Sequence, residues 1–141
     1  MRAALEQECR DRDIADAVIF TGYRPDIADV LGALDIKAFT SLWEGLPRVL
    51  VQASAAGVPV VSFEVGGAWE VVEHGVNGYL VPIKDTAGMV HYLDQLIVDP
   101  DARDRIASQA RDHAGERFSI AQNIARIESL YRKVAPEVHA S

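Results

Sequence analysis

The chain has 141 residues, of which 49% are hydrophobic and 25% are charged. A chain of this size buries roughly 68–70% of its unfolded surface, which is enough for one core and too little for two. We therefore expect a single domain over residues 1–141. The formal net charge is −7, and the only bases between residues 42 and 98 are Arg48 and Lys84. Since a nucleic-acid surface needs a basic stripe, we expect no nucleic-acid partner.

The sequence has no segment typical of secretion or membrane insertion. No apolar run approaches the roughly 18 residues of a membrane span. The first residues carry acids soon after Arg2, unlike a secretory signal. The single cysteine, Cys9, cannot form an internal disulfide, which is consistent with a reducing compartment. The sequence therefore predicts a cytoplasmic protein without a transmembrane segment.

Four short apolar runs bounded by glycine or proline predict buried strands. They cover residues 17–22, 34–40, 58–63 and 79–81. Segments of helical length separate them, one beginning at Pro25 and another running from Pro47 to a stop at Gly57. Strands that alternate with helices at this spacing indicate βαβ units and a parallel sheet.

Residues 85–141 contain helical patterns alone. Asp85 is expected to cap a helix, and Pro100 begins a second, arginine-rich one. The inner face of the first holds Met89, Leu93, Leu96 and Ile97. A third carries an apolar stripe at helical period, formed by Ile120, Ile124, Ile127, Tyr131 and Val134. This stripe is either core or a surface meant for another domain. The predicted fold class is α/β, a Rossmann-like parallel sheet flanked by helices with a helical C-terminal tail.

Ligands of open α/β sheets bind in the turns that follow the carboxyl ends of strands. Three turns of this kind stand out, at residues 22–26, 41–48 and 64–70. In the second turn, Pro47 occupies the predicted first position of a helix, so free N–H groups are expected beside it. These groups belong to Gly45, Leu46, Arg48 and Val49. A helix start of this kind attracts anions.

Glu44 in the same turn has two interpretations. It caps the helix, or it accepts hydrogen bonds from the hydroxyl groups of a ligand while the free N–H groups hold a phosphate. Because an acid beside a phosphate is repulsive, the group facing Glu44 would be a neutral polyol such as a sugar. The residues alone do not separate these two possibilities.

Three segments carry a resemblance to a known family, at residues 44–61, 66–72 and 75–81. They are similar, in matching order, to the donor-binding half of retaining glycosyltransferases of the GT-B fold. The likeness is strongest to glycosyltransferase family 4, also called group 1, and it extends over nearly the whole chain. It implies transfer of a sugar from a nucleoside-diphosphate sugar to a hydroxyl acceptor with retained anomeric configuration. It implies no metal and no other cofactor.

The resemblance also implies roles for individual residues. Glu44 holds the position of the family's glutamate that contacts the sugar hydroxyls near the reacting carbon, which makes it the catalytic candidate. Gln52 holds the position of a second glutamate that binds both ribose hydroxyls. Backbone groups that meet the sugar and diphosphate correspond to Gly45, Leu46, Arg48 and Val49. Tyr23 and Arg24 are weaker candidates for contact with the base.

Two departures from the family pattern affect the expected activity. An amide at Gln52 offers one acceptor where a carboxylate offers two, which weakens or retunes ribose binding. In the family, the basic residues that neutralise the diphosphate precede the matched segments, and we expect this chain to lack both them and the N-terminal acceptor-binding domain. We therefore expect the chain to be inactive alone and to need that domain or a partner chain. An open sheet edge also predicts self-association.

Other classes of function stay open on the sequence. One is a non-catalytic or degenerate nucleotide-sugar-binding module, or one subunit of a split transferase. Another is a nucleotide-sugar epimerase, which shares the GT-B architecture, although the spacing of Glu44 and Gln52 resembles the transferase far more.

The remaining polar and aromatic residues receive structural interpretations. The histidines, His74, His91, His113 and His139, have spacings unlike those of a metal set, so we expect surface histidines and no metal site. Trp43 and Trp69 fall in the 41–48 and 64–70 turns, where packing and ligand stacking are equally compatible with the sequence. Glu70 is expected at a helix start rather than on a ligand.

Overall fold

The computed structural model describes residues 1–134. The helices are α1 (Arg2–Asp11), α2 (Ile27–Gly32), α3 (Arg48–Ala55), α4 (Ala68–Val71), α5 (Thr86–Val98), α6 (Pro100–Arg117) and α7 (Ile120–Val134). The strands are β1 (Lys37–Phe39), β2 (Val60–Phe63) and β3 (Tyr79–Val81). Helices and strands alternate from α2 to α5, and α5 to α7 form a helical C-terminal part. The predicted α/β class is confirmed.

The sheet has three parallel strands in the order β1-β2-β3. In the register, Lys37 lies opposite Val60, and Val61 lies opposite Tyr79. All four residues of β2 are buried, because it is the central strand and both α3 and α5 pack against it. A parallel sheet brings the carboxyl ends of its strands to one edge, where the turns after β1 and β2 therefore meet.

The core forms between β2 and the helices α3, α5 and α6. Leu50, Leu96 and Ile106 are fully buried within it. α6 packs against α3, and its buried residues other than Ile106 are small, namely Ala102, Ala110 and Ala114. Small side chains let two helices approach closely, so an otherwise polar α6 still packs tightly on α3.

Side-chain caps begin α5 and α6, of which the Asp85 cap of α5 was predicted. Asp85 Oδ1 accepts from the N–H of Gly88 at 2.9 Å, and Asp99 Oδ1 accepts from Ala102 at 3.0 Å. The predicted inner face of α5 is correct for Met89 and Leu96, which are buried, whereas Ile97 is exposed. Ile97 is one residue beyond Leu96, and consecutive helical residues point about 100° apart.

The strand predicted at residues 17–22 is wrong. Ala15–Ala17 form a short 3-10 turn, and Ile19, at the centre of the apolar run, is 85% exposed. A strand is stabilised by hydrogen bonds to a neighbour. Within residues 1–134, only β1, β2 and β3 pair as strands, so this segment has suitable residues and no partner.

Two other predicted strands are shorter than expected. The 34–40 run contributes Lys37–Phe39, and the 58–63 run contributes Val60–Phe63. Leu34 is drawn into the end of α2, where its N–H donates to the carbonyl of Leu31 at 3.0 Å. The prediction for residues 79–81 is confirmed.

The apolar stripe of α7 lies on the surface rather than in the core. Its five members are between 51% and 78% exposed, and no residue of α7 is buried. The interpretation of this stripe as core is therefore wrong for residues 1–134.

Candidate functional site

The candidate site lies at the carboxyl ends of β1 and β2. The 41–48 turn leads from β1 into α3, and the 64–70 turn leads from β2 into α4. The 22–26 turn follows no strand in the described structure, because the predicted strand before it does not form. Two of the three predicted turns therefore follow the carboxyl end of a strand, where ligands of parallel sheets bind.

The 41–48 and 64–70 turns are joined through their backbones. The N–H of Gly67 donates to the carbonyl of Gly45 at 2.6 Å. Gly66 has φ +43°, and a Cβ at this position would overlap the carbonyl oxygen of Glu44. Glycine is therefore required at position 66 both for its backbone conformation and for the close approach.

The start of α3 offers backbone donors beside Glu44. Pro47 is the N-cap, one residue before the helix, and no side chain within residues 1–134 caps this end. The first N–H groups of a helix have no partner inside it, which leaves those of Arg48 and Val49 for a ligand. Glu44 is half-buried in the same turn. Since Pro47 occupies the cap position, the capping interpretation of Glu44 does not hold.

Gln52 lies on α3 and is exposed. Its side chain lines a cavity of about 330 Å³ between α2 and α3, together with Ile27 and Leu31. The cavity walls are otherwise apolar, so the amide of Gln52 is their main polar group. Gln52 thus adjoins a recess formed by α2 and α3.

The structure gives Tyr23 and Arg24 less support. Tyr23 is 91% exposed. Arg24 forms an ion pair with Asp26 in its own turn, with 2.8 Å between Nε and Oδ1. This hydrogen bond raises the pKa of Arg24 and lowers the pKa of Asp26 from their ordinary values. The guanidinium is thus engaged within its own turn rather than with the 41–48 turn.

Side-chain charge at the site is mainly negative. The two joined turns carry Glu44, Glu64 and Glu70 against Arg48 as their single base. Arg48 is exposed at the start of α3. An anionic group bound here would depend on backbone N–H groups and the helix dipole more than on side chains.

Glu70 lies in the first turn of α4, as predicted. A Cβ built on Gly67 would lie 3.2 Å from Glu70 Oε1 and 3.2 Å from Leu46 Cδ1. The carboxylate of Glu70 therefore lies near Gly67, at the start of its own helix.

The histidines lie away from this junction. His91 is exposed, as predicted. His74 is exposed but bonded, since its Nδ1 accepts from the N–H of Leu80 at 3.2 Å. His113 differs from the prediction, because its Nε2 is shielded from solvent. His139 lies outside the described residues. Over residues 1–134, no group of three His, Cys, Asp or Glu side chains is placed to hold a metal ion.

Comparison with known sequences identifies the family. The profile described as "Glycosyl transferases group 1" matches residues 1–113. The chain belongs to this family. Among curated proteins, it is 32% identical over 128 residues to the N-acetyl-alpha-D-glucosaminyl L-malate synthase of Bacillus anthracis, covering 91% of this chain and 34% of that protein. It is 37% identical over 128 residues to the D-inositol 3-phosphate glycosyltransferase of Corynebacterium kroppenstedtii, covering 89% and 28%.

Solved structures of other proteins share the fold. Anabaena HepE in complex with UDP superposes with a TM-score of 0.83 at 36% identity, over 90% of this chain and 36% of that chain. The C-terminal domain of the group 1 protein LpcC from Francisella tularensis superposes with a TM-score of 0.79 at 29% identity, over 84% and 63%. The fold is therefore that of the C-terminal domain of GT-B glycosyltransferases.

The chain spans about a third of the length of the curated relatives that it matches. No helix within residues 1–134 is long and apolar enough to cross a membrane.

Proposed function

We propose that this group 1 glycosyltransferase chain is the donor-binding portion of a retaining enzyme that moves a hexose from a nucleoside-diphosphate sugar to a hydroxyl acceptor. The observation that carries the proposal is the junction of the 41–48 and 64–70 turns at the carboxyl ends of β1 and β2. It places a half-buried carboxylate, Glu44, beside the uncapped start of α3. In this proposal Glu44 accepts hydrogen bonds from the hydroxyl groups of the sugar, and the free N–H groups beside it bind the diphosphate, as a nucleotide sugar requires.

Each residue has a chemical role in this proposal. The free N–H groups of Arg48 and Val49 bind the diphosphate, with the backbone of Gly45 and Leu46 against the sugar. Glu44 accepts hydrogen bonds from the sugar hydroxyls near the reacting carbon. Gln52 binds the ribose from α3, and Tyr23 and Arg24 lie toward the base. The complex of HepE with UDP-glucose, at 36% identity and a TM-score of 0.82, supports a nucleotide sugar as the ligand class.

Catalysis by the chain alone is not expected. Negative charge grows on the diphosphate as the sugar leaves, and preorganised donors must stabilise it. Arg48 is the single base of the two joined turns. We infer that cationic groups and the acceptor site come from polypeptide outside this chain, and that no metal or other cofactor takes part.

The first test is thermal unfolding with UDP, GDP and ADP. A ligand at 100 times its dissociation constant stabilises a folded protein by about 2.7 kcal/mol, which gives a readable rise in Tm for a domain of this size. We expect a rise with one of the three nucleotides. No rise with any of them at millimolar concentration would overturn the proposal.

A second arm tests the role of Glu44. Glu44→Ala should keep the rise caused by the nucleoside diphosphate and lose the additional rise caused by the matching nucleotide sugar. Glu128→Ala makes the same chemical change on the exposed surface of α7 and should leave both unchanged. Equal behaviour of the two variants would remove Glu44 from the sugar site.

A further inference from the structure

The side chain of His74 connects the outer edge of the sheet to α5. Within residues 1–134, β3 pairs with one strand, β2, and alternate residues of a strand point their N–H and carbonyl groups to opposite sides. The carbonyl of Val81 accepts from Glu64 on the β2 side, so the N–H and carbonyl of Leu80 point outward. The ring of His74 lies at this outer position, where the edge of a sheet is otherwise open to pairing with another strand.

The loop before β3 holds the backbone at His74 in place. Asn77 is 1% exposed. Its side chain accepts from the N–H of Glu73 at 2.7 Å and donates to the carbonyl of Val71 at 3.2 Å. The residue before His74 is thus tied to a buried side chain, and the ring is presented by an ordered turn.

Both nitrogens of the His74 ring have partners. Nδ1 lies 3.2 Å from the backbone nitrogen and 2.9 Å from the carbonyl oxygen of Leu80. Nε2 lies 3.2 Å from the hydroxyl oxygen of Tyr92 on α5. An unprotonated ring nitrogen accepts from an N–H, whereas a protonated one donates to a carbonyl. The protonation of Nδ1 therefore decides which of the two Leu80 groups is bonded and which is left open.

The groups that face this ring from β3 and α5 are aromatic. The Tyr79 ring meets it edge-on with 5.7 Å between centroids, and the Tyr92 ring does so at 5.2 Å. On α5, His91 contacts the Tyr92 ring at 5.0 Å. In the part of the chain that the structure describes, no acid forms an ion pair with His74, and Glu73, its charged neighbour along the chain, is exposed. Hydrogen bonds, rather than a salt bridge, thus change when the ring gains a proton.

We propose that His74 is a proton-dependent latch on the edge of β3. In the neutral ring, Nδ1 accepts from the N–H of Leu80 while Nε2–H donates to Tyr92, which covers the edge and joins it to α5. When a proton from solvent binds Nδ1, the ring donates to the carbonyl of Leu80 instead, and the N–H of Leu80 loses its acceptor. Histidine is the side chain that ordinarily gains charge between roughly pH 8 and 5, so mild acid opens the latch. The inference does not depend on the proposed function, because His74 lies outside the two joined turns.

Nitrogen NMR of the isotope-labelled full chain tests the latch at the ring. At neutral pH we expect the proton of His74 on Nε2 and none on Nδ1, which correlations between the ring nitrogens and the ring C–H groups distinguish. A neutral ring with its proton on Nδ1 would overturn the proposal, because the N–H of Leu80 would then lack its acceptor before any acid is added.

Amide hydrogen exchange tests the consequence at the strand. The protection factor of the Leu80 amide, which corrects the exchange rate for the intrinsic effect of pH, should fall roughly two- to tenfold as His74 becomes protonated, the usual worth of one hydrogen bond. The Val61 amide in buried β2 is the internal reference and should keep its protection. A constant protection factor at Leu80 would show that the edge does not open, and an equal fall at Val61 would show general unfolding. Either result would remove the latch.

Two matched substitutions assign the effect to one ring. His74→Asn keeps an acceptor oxygen near the position of Nδ1 and cannot gain a proton, so protection of Leu80 should no longer vary with pH. His91→Asn makes the same change at the histidine of α5 that also contacts Tyr92, and it should leave the pH dependence as in the wild type. A dependence that survives His74→Asn, or that disappears in His91→Asn, would assign it to another group and contradict the proposal.

Discussion

Gln52 is an exposed amide that lines the cavity between α2 and α3. In the proposed function it binds a ribose, where a carboxylate would accept from both hydroxyls of the diol. The chain otherwise matches the family closely around this position. Replacing the amide with the family's glutamate therefore measures how much this one difference changes nucleotide affinity.

Gln52→Glu should raise the affinity for UDP, or for whichever nucleoside diphosphate binds, roughly five- to thirtyfold. A charge-assisted hydrogen bond is worth about 1–2 kcal/mol more than a neutral one. Isothermal titration calorimetry measures the affinity. Gln109→Glu introduces the same charge on the exposed face of α6 and should leave it unchanged. An unaltered affinity in Gln52→Glu would separate this residue from the ribose.

Gly66 supports the site without touching a ligand in the proposal. Its φ of +43° and the nearby carbonyl of Glu44 both exclude a side chain. Any residue with a Cβ must push the two turns apart.

Gly66→Ala should lower the free energy of unfolding by about 1–3 kcal/mol, the usual cost of strain at such a backbone position. Urea unfolding measures it. Gly115 lies in α6 with open space around its missing Cβ, so Gly115→Ala should instead raise stability by up to about 1 kcal/mol. Similar effects in both variants would show that the junction of the turns carries no strain.

At the scale of elements, α7 resembles α1 and differs from the helices between them, because neither of the two has a buried residue. Its exposed apolar residues recur at spacings of four and three, the pattern by which two helices pack side by side. The same pattern that predicted a buried helix therefore lies on an exposed face of α7.

We expect the isolated chain to self-associate through α7. Sedimentation at increasing concentration should show a rise in mass for the wild type, and Ile127→Lys, at the middle of the stripe, should remove that rise. Gln122→Lys adds the same charge on the opposite side of α7 and should not. A wild-type chain that stays monomeric throughout would contradict the prediction.

At the scale of the whole molecule, the two edges of the sheet differ. On the outer side of β3, the N–H of Leu80 donates to His74, so this edge is covered. In β1, the N–H of Lys37 donates to Pro59 toward β2. Successive residues of a strand face opposite ways, so the N–H and carbonyl of Ala38 point to the open side. Ala38 is also exposed.

Amide hydrogen exchange followed by NMR should therefore be uneven across the sheet. We expect fast exchange at Ala38, slow exchange at Val61 in the buried centre of β2, and intermediate protection at Leu80. Slow exchange at Ala38 in a monomeric sample would show that the β1 edge is covered. Slow exchange only at high concentration would show that a second copy pairs with it.

Residue types and their neighbours along the chain determine much of the fold. Val60–Phe63, the helix that ends before Gly57, and the Asp85 cap each depend on residue type and neighbours along the chain. For this reason the sequence predicted them correctly. The resemblance carried by Glu44, Gln52 and the glycines of the 64–70 turn also led to the correct family, since those residues are adjacent in sequence to the elements that present them.

Only the tertiary structure decided which apolar segments pack against, or pair with, another part of the chain. Residues 17–22 and the α7 stripe have the composition of buried elements, yet burial and strand pairing require a second surface that composition does not reveal. The candidate site shows the same difference. The sequence identified Glu44 and both tryptophans as candidate residues, whereas only the structure shows the hydrogen bond between Gly67 and Gly45 that joins their turns. Interactions along the chain were readable from the sequence, and interactions across it depended on the fold.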